Sequence, residues 1–112
     1  MIVQYIFIVS DIKSIKKGSL IAQACHASIK AIHVYKDDVD TREYLKYIDS
    51  MTTVILKIKY QDIPSILSNL IELDLVEWIE QPENIVTCIA LRPYKIEALD
   101  QHMDFIRKFK LY

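Results

Sequence analysis

The sequence predicts an α/β fold in which helices pack on a mixed β-sheet within a single domain. Nearly continuous apolar stretches, such as residues 2–9, are typical of strands that are covered on both faces. Between them lie stretches whose apolar residues recur at spacings of three and four, as on the buried side of a helix. The chain has 112 residues, 52% of them hydrophobic, which suits one core and is too short for two domains. We therefore expect one domain over residues 1–112, with elements in the order β-α-α-β-α-β-β-α.

The first half of the chain supplies two strands and two helices in this prediction. The first strand, at 2–9, leads into a polar loop at 10–19. The next helix starts with the first residue of its inward stripe, which comprises Leu20, Ala24, Ala27, Ala31 and Val34. Asp40 and Glu43 resemble a capping box, which would open the second helix. Residues 53–60 then alternate between apolar and polar side chains over part of their length, as a half-buried strand does.

The second half is predicted to contain a helix, a hairpin and a final helix. Asp62 and Pro64 mark a helix start, because proline fits the first turn of a helix. The apolar stretches 75–80 and 84–91 are separated by a tight polar turn, which predicts two antiparallel strands. Pro93 ends the second of them. The last helix has an apolar stripe formed by Ile96, Leu99, Met103 and Ile106.

Charge and cysteine content narrow the class of protein. The net charge of −1 argues against a globally basic nucleic-acid coat, so any RNA contact would come from a local patch. Cys25 and Cys88 fit neither a zinc pattern nor a disulfide framework, and their apolar neighbours predict reduced core residues. The N-terminal apolar stretch is far shorter than the ~20 residues of a membrane span and lacks the features of a signal peptide. We expect a cytoplasmic protein without a membrane partner.

Three lysines and the only glycine of the chain precede the first predicted helix. Lys13, Lys16 and Lys17 lie before a helix N-terminus, where free backbone N–H groups favour an anion. Gly18 would let the backbone turn sharply and approach a ligand closely. The group could therefore hold a phosphate of a nucleotide or of RNA. A solvated lysine loop, with a glycine used only for its turn, is the alternative.

The adjacent Cys25 and His26 suggest a nucleophile with its base, but neighbouring helical residues point about 100° apart. A catalytic dyad is therefore not predicted. Cys25 is expected on the packed side of the helix, whereas His26 shares a face with Gln23 and Lys30. His26 would either serve a site above the helix, by orienting a group or exchanging a proton, or fix the helix to a loop through a hydrogen bond.

The predicted hairpin brings carboxylates and amides to one end of the sheet, at Glu80, Gln81, Glu83 and Asn84, with Thr87 just inside the next strand. A carboxylate and a threonine hydroxyl could position a water for hydrolysis. An ordinary polar turn is the alternative. Trp78 is expected in the core, with a base-stacking surface as the second interpretation. The histidines show no metal-binding spacing.

The motifs taken together carry a resemblance to a known family. They comprise Asp11, Lys13, Lys17-Gly18, Ala22-Gln23, His26-Ala27, Thr87, Pro93 and the C-terminal Lys110-Leu111-Tyr112. In this order the chain resembles the class II peptidyl-tRNA hydrolases over essentially its whole length. The resemblance implies a mixed four-stranded sheet with helices on both faces. It also implies hydrolysis of the ester between a peptide and the 3′ end of tRNA, with no metal or organic cofactor.

The resemblance assigns roles by motif. It implies catalytic roles for Lys13, Lys17, His26 and Thr87, with Glu80 as the carboxylate, and contacts to peptidyl-tRNA through Lys13, Lys16, Lys17 and Lys30. Two departures stand out: Ser19 replaces a lysine usual in the family, and the segment 80–84 is shorter than the family's aspartate loop. A non-catalytic RNA- or protein-binding module on the same scaffold is therefore the alternative, and a cysteine hydrolase using Cys25 is a third. The oligomeric state is open, with a homodimer among the states compatible with the sequence.

Overall fold

A six-stranded β-sheet forms the centre of the chain, which a computed structural model describes over residues 1–112. The strands are β1 (Ile2–Val9), β2 (Thr52–Ile58), β3 (Leu75–Glu80), β4 (Ile85–Leu91), β5 (Tyr94–Lys95) and β6 (Lys110–Leu111). The α-helices are α1 (Lys17–Val34), α2 (Val39–Lys46), α3 (Ile63–Asn69) and α4 (Met103–Ile106). Short 3₁₀ segments occupy Ile48–Ser50, Tyr60–Asp62 and Ile96–His102. The four predicted strands are confirmed, and the two-residue strands β5 and β6 are additional.

The sheet is mixed, as predicted. Its order is β3-β4-β1-β2-β6, and β5 pairs with the first residues of β1. β1 and β2 run parallel, whereas the other pairs are antiparallel. β1 is central and buried from Val3 to Val9, which explains why its sequence is apolar without alternation.

Helical segments cover both faces of the sheet, and each face has its own core. On one face, Ile6 and Ile8 of β1 pack with Leu20, Ala27 and Ala31 of α1. On the other, Phe7 and Val9 belong to a larger cluster with α3 and the C-terminal helical segment. The small side chains of Ala27 and Ala31 are fully buried, so α1 lies close to the strands beneath it. The α/β class with helices on both faces is thus confirmed.

The first helix begins earlier than the sequence predicts. It starts at Lys17 rather than Leu20, because its first turn is polar and exposed and carries no hydrophobic period. Gly18 lies in that turn without a positive φ, so the predicted sharp turn at the glycine is wrong. Val34, predicted to face inward, is 52% exposed at the end of the helix.

The cap of the second helix and the form of the last one also differ from prediction. Asp38, not Asp40, caps α2: its carboxylate accepts hydrogen bonds from the backbone N–H groups of Asp40 and Thr41. The C-terminal stretch is mainly 3₁₀, and only its last four residues form α4. Its predicted stripe still packs inward, since Leu99, Met103 and Ile106 are buried. No helix is long and apolar enough to cross a membrane.

Candidate functional site

A polar cleft of about 320 Å³ lies between the N-terminal part of α1 and the turn that joins β3 to β4. The sheet topology creates it. β4 runs antiparallel to β1, and Ile8 near the end of β1 pairs with Cys88 near the start of β4. The loop leaving β1 and the turn entering β4 therefore lie at the same end of these two strands. The cleft is lined by Ser14, Ile15, Lys16, Ser19, Gln23, Glu80, Gln81 and Glu83.

The β3–β4 turn is held by its own hydrogen bonds. The backbone N–H of Asn84 donates to the carbonyl of Glu80 at 2.8 Å, and Gln81 Nε2 donates to Asn84 Oδ1 at 3.2 Å. Asn84 has a φ of 58°, a left-handed conformation that asparagine tolerates better than most residues. The Gln81–Pro82 peptide bond is cis. This compact turn contributes Glu80 and Glu83 to the lining of the cleft, to which Lys16 also belongs.

Gln23 is the cleft residue that the sequence interpretation did not assign a role. Its side chain is 1% exposed, and its Nε2 donates to Ser19 Oγ at 3.1 Å. Its Oε1 is buried without a hydrogen-bond partner in the chain. A buried acceptor that is left unpaired beside a cleft is available to a ligand or a water. The prediction that Gln23 shares the polar face of His26 is wrong, because Gln23 lies in the buried stripe of α1 between Leu20 and Ala27, whereas His26 is exposed.

Thr87 lies at an irregularity of the sheet, in the pairing of β3 with β4. Trp78 pairs with Cys88 and Ile79 pairs with Val86, so the bulge leaves Thr87 without a partner residue in β3. Its side chain is fully buried, and its Oγ1 has no hydrogen-bond partner in the chain. Thr87 does not line the cleft. The sequence could indicate its position at the start of the strand but not the bulge.

His26 and Lys30 are held against β3, beyond the cleft. The His26 ring lies 4.9 Å from the Trp78 ring, tilted by 38°. Lys30 Nζ donates to the carbonyl of Glu77 at 2.7 Å. Trp78 packs against the core beneath α1, as predicted, while its Nε1 is buried without a partner. Neither His26 nor Lys30 lines the cleft.

The predicted lysines surround the start of α1 but point to different places. Lys16 lines the cleft, Lys13 is exposed in the β1–α1 loop, and Lys17 lines an apolar groove elsewhere on α1. No side chain caps this helix, and its first turn contains no acidic residue. The positive end of the helix therefore lies uncompensated beside the cleft, where it favours an anion. A Cβ added to Gly18 would meet nothing within 4 Å, so no protein packing requires the glycine.

The two cysteines have opposite environments. Cys88 is fully buried, as predicted, and burial raises the pKa of its thiol to about 12. The prediction that Cys25 packs inward is wrong, because Cys25 is exposed. The inward stripe of α1 runs through Gln23 and Ala27, which turns Cys25 outward. His26 stacks on Trp78, and no hydrogen bond joins it to Cys25. No group of three or more His, Cys, Asp or Glu side chains could hold a metal ion.

Comparison with known proteins gives consistent matches over the whole chain. The family model described as "Peptidyl-tRNA hydrolase PTH2" matches residues 2–112. The protein named "Putative peptidyl-tRNA hydrolase PTRHD1" of Mus musculus is 38% identical over 117 residues, covering 98% of this chain and 84% of that protein. The protein of the same name from Homo sapiens is also 38% identical over 117 residues, with the same coverage.

Proposed function

We propose, because this chain belongs to the peptidyl-tRNA hydrolase PTH2 family, that it cleaves the ester between a peptide and the 3′ end of tRNA. It would thereby return tRNA to translation in the cytoplasm. The observation that carries the proposal is the polar cleft beside the N-terminus of α1, which is lined by Lys16, Glu80 and Glu83. A cation, a carboxylate and free backbone N–H groups are what ester hydrolysis of an anionic substrate uses.

In the proposed reaction, a water attacks the ester carbonyl carbon. The Glu80 carboxylate accepts a proton from this water, and the carbonyl oxygen takes up negative charge. Lys16 and the free N–H groups at the start of α1 stabilise that oxyanion. The intermediate then collapses, the bond to the ribose oxygen breaks, and that oxygen takes the proton back from Glu80 as the tRNA leaves. Gln23 Oε1, which has no partner, would accept a hydrogen bond from the water or from a ribose hydroxyl.

The remaining predicted residues complete the proposal. Lys13 in the β1–α1 loop and Lys17 at the start of α1 would hold tRNA phosphates, and Lys30 would extend the basic surface along α1. His26, fixed on Trp78, would orient the tRNA end. The hydroxyl of Thr87 would hold a water, since it has no partner in the protein. These roles stay predictions. The roles of the lysines and of His26 are supported by their positions on and before α1, and that of Thr87 by its hydroxyl, which has no hydrogen-bond partner in the protein.

A matched pair of substitutions on one strand tests the role of the cleft. Glu80→Gln keeps the shape of the side chain and removes its basicity, so we expect peptide release from peptidyl-tRNA to fall ~100-fold or more. Glu77→Gln makes the same chemical change on β3 outside the cleft and should leave the rate within a factor of about two. Release of labelled peptide under single-turnover conditions measures both. Absence of turnover by the unaltered protein, alongside an active hydrolase, refutes the proposal.

Two observations favour a non-catalytic module as the second candidate. Thr87 is fully buried outside the cleft, and the uncharged Ser19 lines the cleft where the family usually has a lysine. Such a module would bind tRNA or a protein without turnover. It predicts saturable tRNA binding by the unaltered protein and no change in that binding for Glu80→Gln, with peptide release at the background rate in both.

A further inference from the structure

The side of α1 facing away from β3 borders an uncovered part of the sheet. α1 packs over β1, β3 and β4. On this face Tyr44 of α2 reaches the start of β2, where its hydroxyl lies 3.2 Å from Thr53 Oγ1. Two adjoining depressions of about 350 Å³ each lie between α1 and β2. They share Ala24, Cys25 and Ile55 and form one continuous channel. We call it the α1–β2 groove; its walls include Ile21, Ala24, Cys25, Ile29, Ile55 and Tyr112.

The groove exposes an unusually apolar wall. Ile21 and Ile29 are 59% and 67% exposed, and Cys25 lies midway between them. Residues spaced by four share one side of a helix, so the three form a stripe along about 12 Å of the helix axis. A continuous apolar surface of this kind on a monomer is typical of an interaction site.

Lysines border the groove, and no carboxylate lines it. Lys17 lines one end. Lys57 and Lys110 are opposite each other in the β2–β6 pair, and Lys57 Nζ lies 5.7 Å from the centre of the Tyr112 ring. All four ion pairs of the molecule are made by Arg92 or Lys95, so these three lysines are unpaired. Like charges directly opposite in a sheet repel, and carboxylates from a partner would relieve that repulsion.

We propose that the α1–β2 groove binds an amphipathic helix of a partner protein whose apolar stripe is flanked by glutamates or aspartates. The isoleucines would bury the stripe, and the lysine border would pair with the carboxylates. A second copy of this chain fits less well, because two such surfaces would bring two sets of these lysines together. RNA fits less well too, since phosphates cannot cover exposed isoleucines. This proposal does not depend on the hydrolase activity.

A designed peptide of about 16 residues tests it, with leucines on one helical stripe and glutamates elsewhere. Cys25 reports occupancy, because it lies in the groove and is the only exposed thiol. Bound peptide should slow modification of Cys25 by a thiol reagent, and fluorescence anisotropy of labelled peptide should give a saturable affinity. Two control peptides, one scrambled and one with lysine in place of glutamate, should neither slow the modification of Cys25 nor show saturable binding.

Two matched pairs of variants locate the binding. Ile29→Glu and Lys57→Glu should each weaken peptide binding on the order of tenfold. Ile71→Glu changes another isoleucine, 80% exposed outside the groove, and Lys36→Glu another exposed lysine; both should bind normally. All four variants should keep any peptide-release activity, which separates this test from that of the hydrolase. Equal binding of the scrambled peptide overturns the proposal. Three other results would also overturn it. Ile29→Glu could bind the peptide as tightly as the unaltered protein, or the unaltered protein could be a dimer that Ile29→Glu dissociates. The third is that a tRNA acceptor stem, and not the peptide, protects Cys25.

Discussion

Buried polar side chains of this protein differ in whether their hydrogen-bonding atoms have partners. Ser28 Oγ donates to Gln4 Oε1 at 2.6 Å, and Gln4 Nε2 donates to the carbonyl of Leu91 at 3.1 Å, so this buried pair is satisfied. Gln23 and Thr87 each keep a buried oxygen without a partner. An unpaired buried polar atom costs stability, so its presence calls for a use.

Thr87→Val tests whether the hydroxyl of Thr87 is used. The side chain keeps its shape and loses only an unpaired group, so we expect the free energy of unfolding to stay constant or rise by about 1 kcal/mol. Peptide release should nevertheless fall by at least ~10-fold if this hydroxyl holds a water. Urea denaturation and the release assay measure the two effects. Ser28→Ala is the contrast: it leaves Gln4 Oε1 unpaired and should cost ~1–2 kcal/mol.

The buried thiol of Cys88 predicts a loss of stability in alkali. Burial raises its pKa from 9.0 to about 12, so between these values the folded protein keeps a proton that the unfolded chain has lost. The contribution of this thiol to the free energy of unfolding is complete below pH 9 and is lost as the pH rises toward 12. Over that range the free energy of unfolding falls by up to ~1.4 kcal/mol per pH unit. Urea unfolding between pH 8 and pH 11 measures it. Cys88→Ala should flatten the slope, and an unchanged slope in that variant contradicts the assignment.

At the scale of elements, strands were easier to predict than helix ends. A buried strand such as β1 shows in its apolar run, because both faces are covered. The start of α1 carries no such signal, since its first turn is exposed, and the cap of α2 depends on the conformation of Asp38. For the site, sequence indicated Lys16 and Glu80 but not Gln23. Whether a buried glutamine has a partner depends on packing that no local pattern encodes.

The close approach of α1 to the sheet depends on its alanines. Ala27 is fully buried against the strands, whereas Ala22 is exposed on the same helix. Ala27→Leu has no room for the larger side chain and should cost ~1–3 kcal/mol. Ala22→Leu makes the same change in solvent and should stay within about 0.5 kcal/mol. Chemical denaturation compares them, and an equal effect of both would show that α1 does not lie tightly on the sheet.

At the scale of the whole molecule, the charge distribution must account for any binding of tRNA. The net charge is −1, so attraction depends on the lysines around the start of α1. Lys16→Ala should weaken tRNA binding and reduce the slope of log affinity against log salt by about 1 if that lysine contacts a phosphate. Lys108→Ala, far along the chain, is the control. Binding measured at several salt concentrations gives both slopes, and an unchanged slope for Lys16→Ala places the phosphates elsewhere.

The bulge in the β3–β4 pair has a consequence beyond the position of Thr87. β3 is an edge strand of the sheet, and a long flat edge offers its free N–H and carbonyl groups to other chains. A bulge increases the local twist and interrupts the regular ladder, so the edge is a poor template for a further strand. The same irregularity that leaves Thr87 without a partner residue in β3 therefore helps to protect the protein from edge-to-edge aggregation.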